Sequence, residues 1–154
     1  PDTVYKFYLE NTEYINNWDL VDLSCYKIVG QYLINKPRDT LYKLAASKNI
    51  LERRIAIVST YTFIKAGQLN DTIKISEKLL GDKHDLIHKA VGWMLREVGK
   101  KDEALLIKFL KDNYSKLPRT TLRYAIERFP EKIRKNYLIG KFSWLPTPEV
   151  AGYC

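Results

Sequence analysis

The stretch 82–97, DKHDLIHKAVGWMLRE, carries the clearest structural pattern of the chain. At about 3.6 residues per turn, its apolar side chains fall on one helical stripe that continues into the next turn. We predict a helix over 84–99 with this stripe in the core. The stripe consists of Ile87, Val91, Met94, Leu95 and Val98.

Apolar residues recur at helical spacing along the rest of the chain. No segment sustains the alternation of apolar and polar residues that a β-strand shows. Proline and glycine mark the ends of the segments. Pro118 and Pro130 stand where a helix can start, and Gly67 and Gly81 stand where one can end. The other predicted helices span 17–34 (intact or broken near Ser24), 39–47, 50–66, 71–80, 102–114, 118–128 and 131–138.

The predicted helices alternate between longer and shorter ones. Each pair occupies about 30–40 residues, the size of a HEAT-type helical repeat. We therefore predict an all-α fold, an α-solenoid of stacked HEAT-like helical pairs in which one helix of each pair lines a basic concave face. A plain helical bundle is the alternative. We predict that residues 1–138 form this domain and that residues 139–154, which contain the helix breakers Pro146, Pro148 and Gly152, form an irregular extension.

The charge of the chain favours an acidic partner. Its 154 residues include 26 Lys and Arg against 18 Asp and Glu, a net charge of +8. Residues 1–77 hold ten basic and nine acidic side chains, whereas residues 78–154 hold sixteen and nine, so the second half carries nearly all of the excess. Nucleic acid is the first candidate partner, and an anionic membrane is the second.

No segment has the character of a membrane span or a signal peptide. The longest uncharged apolar stretch, 55–64, is about half as long as a span needs to be. Cys25 and Cys154 lack metal-ligand spacing and are interpreted as reduced thiols of a cytoplasmic protein. The chain starts at Pro1 without a Met, which we interpret as a processed or incomplete product. A monomer is the default expectation.

Arg54 interrupts the apolar stripe of the predicted 50–66 helix. Its side chain points into the middle of that stripe, where a guanidinium is costly to bury unless it is paired. Two interpretations stay open. Arg54 either forms a buried pair with a carboxylate or snorkels to the surface, or it is directed along the inner face at a phosphate, which its planar fork suits.

Trp93 lies off the core stripe of its own helix. Lys89 and Arg96 stand four residues before it and three after it, so the three side chains share one face. Such a face serves stacking and phosphate contact, and the alternative is a Trp packed on the next helix beside two solvated cations. Arg119 and Arg123, four residues apart, form either a phosphate clamp or a solvated face.

Trp18 and Asp22 are four residues apart, so an indole and a carboxylate share one helical face. Spacing alone favours a core Trp18 with a solvated or capping Asp22. His84 and His88 imitate the zinc-binding H-E-x-x-H motif, with Asp85 in place of Glu. They are the only two histidines and no third ligand stands out, so we predict no metal site and a helix N-cap at His84 or Asp85.

Several motifs together resemble the DNA alkylation repair family, which comprises AlkD-like DNA glycosylases built from HEAT-like repeats. The resemblance covers roughly residues 5–138, and the long 82–97 block is its most specific part. The motifs are NNWDLVD at 16–22, IVG at 28–30, ERRIAIV at 52–58, the 82–97 block and PRTTLRYAIE at 118–127.

The resemblance implies a base excision repair enzyme without a cofactor. Its implied reaction is hydrolysis of the N-glycosidic bond of N3- or N7-alkylated purines in duplex DNA, with the base still stacked. By motif position, the family's catalytic Asp falls on Asp22, its paired tryptophans fall on Trp18 and Trp93, and its DNA-contacting Arg falls on Arg54. The further DNA-binding candidates are Lys89, Arg96, Arg119 and Arg123.

The chain departs from the family pattern at both ends. The family has further helices before the Trp-Asp motif, so the resemblance implies an N-terminally incomplete solenoid, and the tail after Leu138 also differs. The alternative function is a non-catalytic HEAT-like scaffold that binds nucleic acid or protein. Asp22 separates the two hypotheses, because a scaffold has no use for a carboxylate that faces DNA and repels phosphate.

Overall fold

The structure is a computed structural model that describes residues 2–12 and 18–141, without the side chains of residues 18–20 and 23. All regular elements in these ranges are helical. A π-helical turn (Tyr26–Gly30) joins α2 to α3, and a 3-10 turn (Tyr114–Lys116) follows α9. The helices are α1 (Asp2–Glu10), α2 (Trp18–Cys25), α3 (Gln31–Leu33), α4 (Asp39–Ala45), α5 (Ile50–Val58), α6 (Thr60–Lys65), α7 (Asn70–Leu79), α8 (Asp85–Lys101), α9 (Glu103–Asn113), α10 (Arg119–Ala125) and α11 (Glu131–Leu138).

From α2 onward the helices stack in two layers. The first-helix layer consists of α2 with α3, α5 with α6, α8, and α10, and each of these packs against the next. The second-helix layer consists of α4, α7 and α9, which pack against α5 and α8. The prediction of an all-α, solenoid-like fold is confirmed.

The predicted stripe of α8 forms the centre of the core. Its five side chains are at most 1% exposed, because α8 packs against α5, α6 and α10 in its own layer and against α7 and α9 in the other. Capping residues fix where the helices begin. The side chains of Asn49, His84 and Asp102 each accept a hydrogen bond from a backbone N–H in the first turn of α5, α8 and α9. Pro118 and Pro130 immediately precede α10 and α11, as the sequence predicts.

The structure adds a helix that the sequence did not indicate. In α1, Tyr5 and Tyr8 are buried against the stack. The Tyr5 ring stacks on Tyr32 with centroids 4.0 Å apart, and the Tyr8 hydroxyl lies 2.8 Å from the Ser24 hydroxyl oxygen. Such a short helix depends on these tertiary contacts, because its own propensity is insufficient in water.

The 17–34 segment has no break near Ser24 and instead contains the π-helical turn. A π turn changes the hydrogen-bond ladder of a helix and leaves carbonyl groups that need donors from elsewhere. The Thr62 hydroxyl donates to the Tyr26 carbonyl at 2.5 Å, and the Ser59 hydroxyl donates to the Cys25 carbonyl at 3.4 Å. Side chains at and just after the junction between α5 and α6 therefore stabilise the π-helical turn between α2 and α3.

The end of the last described helix bears on the predicted division of the chain into a domain and an extension. The last helix ends at Leu138, and residues 142–154 of the predicted extension lie outside the described residues. The division into a domain and an extension therefore stays a prediction.

Among the described helices, none combines the length and the apolarity that crossing a membrane requires.

Gly92 allows α8 and α10 to approach closely. A Cβ atom built on Gly92 would lie 2.5 Å from the Tyr124 Cβ and 2.8 Å from the Thr121 carbonyl oxygen. The second of these contacts is with backbone, so a larger side chain would have to separate the two helices. Gly30 likewise allows the π-helical turn to approach the junction of α5 and α6, since a Cβ on Gly30 would lie 2.6 Å from the Ser59 carbonyl oxygen.

We expect Gly92→Ala to destabilise the protein by about 1–2 kcal/mol, because overpacking costs about 1–3 kcal/mol and the gain in helix propensity is about 1 kcal/mol. Urea denaturation measures the change. The matched control is Gly81→Ala, where no atom lies within 4 Å of the added Cβ. Equal stabilities of the two variants would contradict the close approach.

Burial raises the pKa of two neighbouring groups under the α1 contact. The pKa of the Cys25 thiol is raised to about 12, first by burial and then by the negative charge of Asp22. The pKa of Tyr8 is also raised to about 12, mainly by burial. Both groups are neutral in the folded protein at pH values where they start to ionise in the unfolded chain.

We therefore expect the free energy of unfolding to fall as the pH rises from about 9 towards 12, because a raised folded-state pKa stabilises the protein only below the unfolded value. Urea midpoints at pH 8 and pH 11 measure the fall. In Tyr8→Phe the fall should be smaller, since one of the two groups is removed. A midpoint that does not change with pH would contradict this expectation.

Candidate active site

Asp22 and Arg54 form a bidentate ion pair between two members of the first-helix layer. Arg54 Nε donates to Asp22 Oδ1 and Arg54 Nη2 donates to Asp22 Oδ2, both at 2.8 Å. Arg54 Nη1 donates in addition to the Leu86 carbonyl oxygen in the first turn of α8. One guanidinium thus connects α2, α5 and α8.

The pair is buried on one side and open on the other. The Arg54 side chain is 9% exposed, whereas that of Asp22 is 21% exposed. A carboxylate has about four lone-pair sites, and Arg54 occupies two of those of Asp22. Asp22 therefore keeps acceptor capacity and some access to solvent. Of the two interpretations of Arg54 drawn from the sequence, the structure contains the buried pair, and a phosphate contact stays a prediction.

The two predicted tryptophans are described to different extents. Trp18 is the first residue of α2, one turn before Asp22, but its side chain lies outside the described residues. Trp93 is partly buried in α8, and its ring centroid lies 5.9 Å from that of Tyr61 in α6. Trp93 follows Leu86 by seven residues, or two turns, and so lies on the side of α8 that carries the Arg54 contact.

Tyr26 and Tyr61 extend this aromatic contact away from Trp93. The ring of Tyr61 meets the ring of Tyr26 edge-on, with centroids 5.2 Å apart, and both side chains are partly buried. We name Tyr26, Tyr61 and Trp93 the aromatic row. The sequence does not indicate this row, because Tyr61 fits the apolar stripe of its helix and Tyr26 belongs to the π-helical turn.

Three of the predicted DNA-binding residues line a groove of about 680 Å³ between α8 and α10. Two of the three cations are paired with acids of the same groove. Lys89 Nζ lies 3.4 Å from Asp85, and Arg96 is paired with Glu127 of the turn that follows α10. The Thr120 hydroxyl and then the Lys89 ammonium group lower the pKa of Asp85. The groove is lined by Asp85, Lys89, Arg96, Thr120, Arg123, Tyr124, Glu127 and Arg134.

Arg119 and Arg123 differ in their surroundings although they are one turn apart. Arg123 is exposed and lines the groove. Arg119 Nη1 instead donates to the Leu138 carbonyl oxygen at 2.5 Å, at the end of α11, and Arg119 does not line the groove. Arg119 therefore joins the last two helices, and a clamp formed by both arginines on one phosphate stays a prediction.

The two histidines have backbone partners in the structure. His84 Nδ1 accepts from the Leu86 N–H at 3.2 Å, which confirms the N-cap prediction. His88 Nε2 contacts the Asp82 carbonyl oxygen. Among the described residues, no group of three or more His, Cys, Asp or Glu side chains is arranged to hold a metal ion.

A stack of helical pairs with cations and aromatic rings on one layer is typical of nucleic-acid binding. The chain belongs to the DNA alkylation repair enzyme family, because the model of that family matches residues 1–129. This membership assigns the chain to DNA repair, with DNA as the partner. Comparisons with curated proteins and with solved structures gave no match.

We expect Arg54→Met to destabilise the protein by about 2–3 kcal/mol. Removing one member of a buried pair costs about 3–5 kcal/mol, and the partial exposure of Asp22 reduces this cost. Urea denaturation measures the loss. The control is Lys108→Met, which removes the pair with Asp112, whose two side chains are 72% and 56% exposed. Equal losses in the two variants would show that the Asp22 pair contributes no more than a surface contact.

Proposed function

We propose that the chain is a DNA glycosylase that hydrolyses the N-glycosidic bond of N3- or N7-alkylated purines in duplex DNA. The observation that carries this proposal is the partly exposed Asp22 carboxylate, held by two hydrogen bonds from Arg54, in a member of the DNA alkylation repair family. The implied enzyme needs no cofactor and acts as a monomer in the cytoplasm.

The proposed chemistry matches the few groups that this site provides. Alkylation at N3 or N7 makes the purine cationic, so it leaves as a neutral base without a strong general acid. As the bond between C1′ and the base breaks, positive charge develops on the deoxyribose. A fixed carboxylate stabilises that charge and orients the water that adds to C1′. Asp22 has this role, and the water proton is released to solvent.

Arg54 contributes by fixing Asp22. A bidentate pair sets both the position and the plane of a carboxylate, and the third contact with Leu86 fixes the guanidinium itself. The carboxylate is therefore oriented before DNA binds, which lowers the reorganisation that the reaction requires. The resemblance to the family further implies that Arg54 contacts a phosphate of the DNA.

Trp18 and Trp93 hold the lesion nucleotide beside Asp22. Their indole rings offer CH–π contacts to the sugar and cation–π contacts to the alkylated base, which is positively charged. Lys89, Arg96 and Arg123 attract the phosphate backbone to the first-helix layer. The resemblance further implies that the base stays stacked in the duplex, with HEAT-like repeats supplying a surface instead of a deep pocket.

The scaffold function is the second candidate, and one observation favours it. The Asp22–Arg54 pair connects three helices, so Asp22 has a structural reason to be present even without catalysis. A scaffold of this kind binds DNA through the same cations. Affinity for DNA therefore does not separate the two functions, whereas release of a base does.

We expect the chain to release free base from duplex DNA that contains 7-methylguanine or 3-methyladenine. In Asp22→Asn the rate should fall by about 100-fold or more, because the charge that stabilises the transition state is lost. Base release is measured by chromatography under single-turnover conditions.

Two controls make this experiment decisive. Asp112→Asn removes a carboxylate of the second-helix layer, which is paired with the exposed Lys108, and should release base at the parent rate. Thermal unfolding verifies that Asp22→Asn is folded. If folded Asp22→Asn releases base as fast as the parent, Asp22 is not catalytic. If the parent binds DNA and releases no base, the scaffold replaces the glycosylase.

A further inference from the structure

Two exposed lysines stand beside the aromatic row. Lys65 Nζ lies 4.8 Å from the centroid of the Tyr61 ring, one turn away on α6, and Lys27 Nζ lies 6.0 Å from the centroid of the Tyr26 ring. An ammonium group near a ring face is attracted by the ring quadrupole. The two rings therefore restrain the positions of two cations at the solvent edge of the row.

These two ammonium groups differ from most other cations of the first-helix layer. Lys89, Arg96 and Arg54 each have a carboxylate within ion-pair distance. Lys27 and Lys65 have no such carboxylate among the residues that the structure describes. Their charge is therefore available to an anion from outside the chain.

The row lies on the same three helical segments as the Asp22–Arg54 contact. Tyr26 follows Asp22 by one turn, Tyr61 follows Arg54 by about two turns, and Trp93 follows Leu86 by two turns. The polar contact and the aromatic row thus cross the layer side by side. A DNA strand bound at Asp22 would therefore lie beside the row.

We propose that Lys27 and Lys65, restrained by Tyr26 and Tyr61, form a phosphate-binding subsite for duplex DNA next to Asp22 and Trp93. This inference rests on the proposed function for its partner, since a DNA repair enzyme must bind the backbone close to its reacting nucleotide. The rings restrict the lysine side chains before binding, which reduces the entropy lost when a phosphate is bound. Neither lysine is among the residues proposed above to hold the lesion or to stabilise the transition state.

The test measures binding of an undamaged duplex of about 20 base pairs as a function of salt. Each phosphate contact adds about 0.9 to the slope of log affinity against log salt. We expect Lys27→Gln and Lys65→Gln each to reduce the slope by about 1, and the double variant to reduce it by about 2. At moderate salt the double variant should bind at least tenfold more weakly.

The matched control is the double variant Lys74→Gln with Lys78→Gln, two exposed lysines of α7 in the second-helix layer. It makes the same change in net charge and should alter the slope by a few tenths only. Equal slopes for the two double variants would overturn the subsite, because the effect would then come from total charge. A slope unchanged by Lys27→Gln and Lys65→Gln would also overturn it.

The outcome is independent of base release. If the slope falls as expected while the parent chain releases no base from alkylated DNA, the subsite stands and the glycosylase proposal fails. If the parent releases base and the slope does not change, the subsite alone fails. Because all four lysines are exposed, thermal unfolding should give the same midpoint for every variant, and a lowered midpoint would attribute the binding loss to misfolding.

Discussion

The Arg54 side chain, whose guanidinium cannot lose its proton, is only 9% exposed in an otherwise apolar stripe, and this constraint organises the first-helix layer. Arg54 must find acceptors inside the protein, because an uncompensated charge there costs several kcal/mol. It obtains them from the Asp22 carboxylate on α2 and the Leu86 carbonyl on α8. The same requirement that fixes three helices relative to one another also fixes the carboxylate that we propose as catalytic.

Much of the fold was predictable because its signals are local. Capping side chains, prolines and the spacing of apolar residues act within a few positions of the chain, and α8 begins and buries its stripe as these signals predict. The helix α1 was missed since Tyr5 and Tyr8 are ordered by partners on other helices. The π-helical turn was missed for the same reason, as its carbonyls depend on Ser59 and Thr62.

The candidate site was predictable in part. The position of Arg54 in an apolar stripe indicated that a partner was needed, but Asp22 is 32 residues away and no local pattern identifies it. The family resemblance implied a role for each residue but did not imply that the two form an ion pair. The aromatic row escaped notice because a helical wheel does not distinguish a tyrosine in the core from one at its edge. Net charge likewise did not show which cations are available to DNA, since Arg38 and Arg53 form ion pairs with Asp71 and Asp82.

The π-helical turn has a consequence for how the chain tolerates change in length. A π turn accommodates one more residue than an α-helical turn, and each residue of an α-helix rotates the chain by about 100°. Because the π turn absorbs the extra residue within its wider ring, the helix on either side of 26–30 avoids that rotation. Asp22 therefore stays on the face that meets Arg54, while Gly30 keeps its close approach to Ser59. The same length change in a regular part of the segment would turn Asp22 away from Arg54 by about 100°.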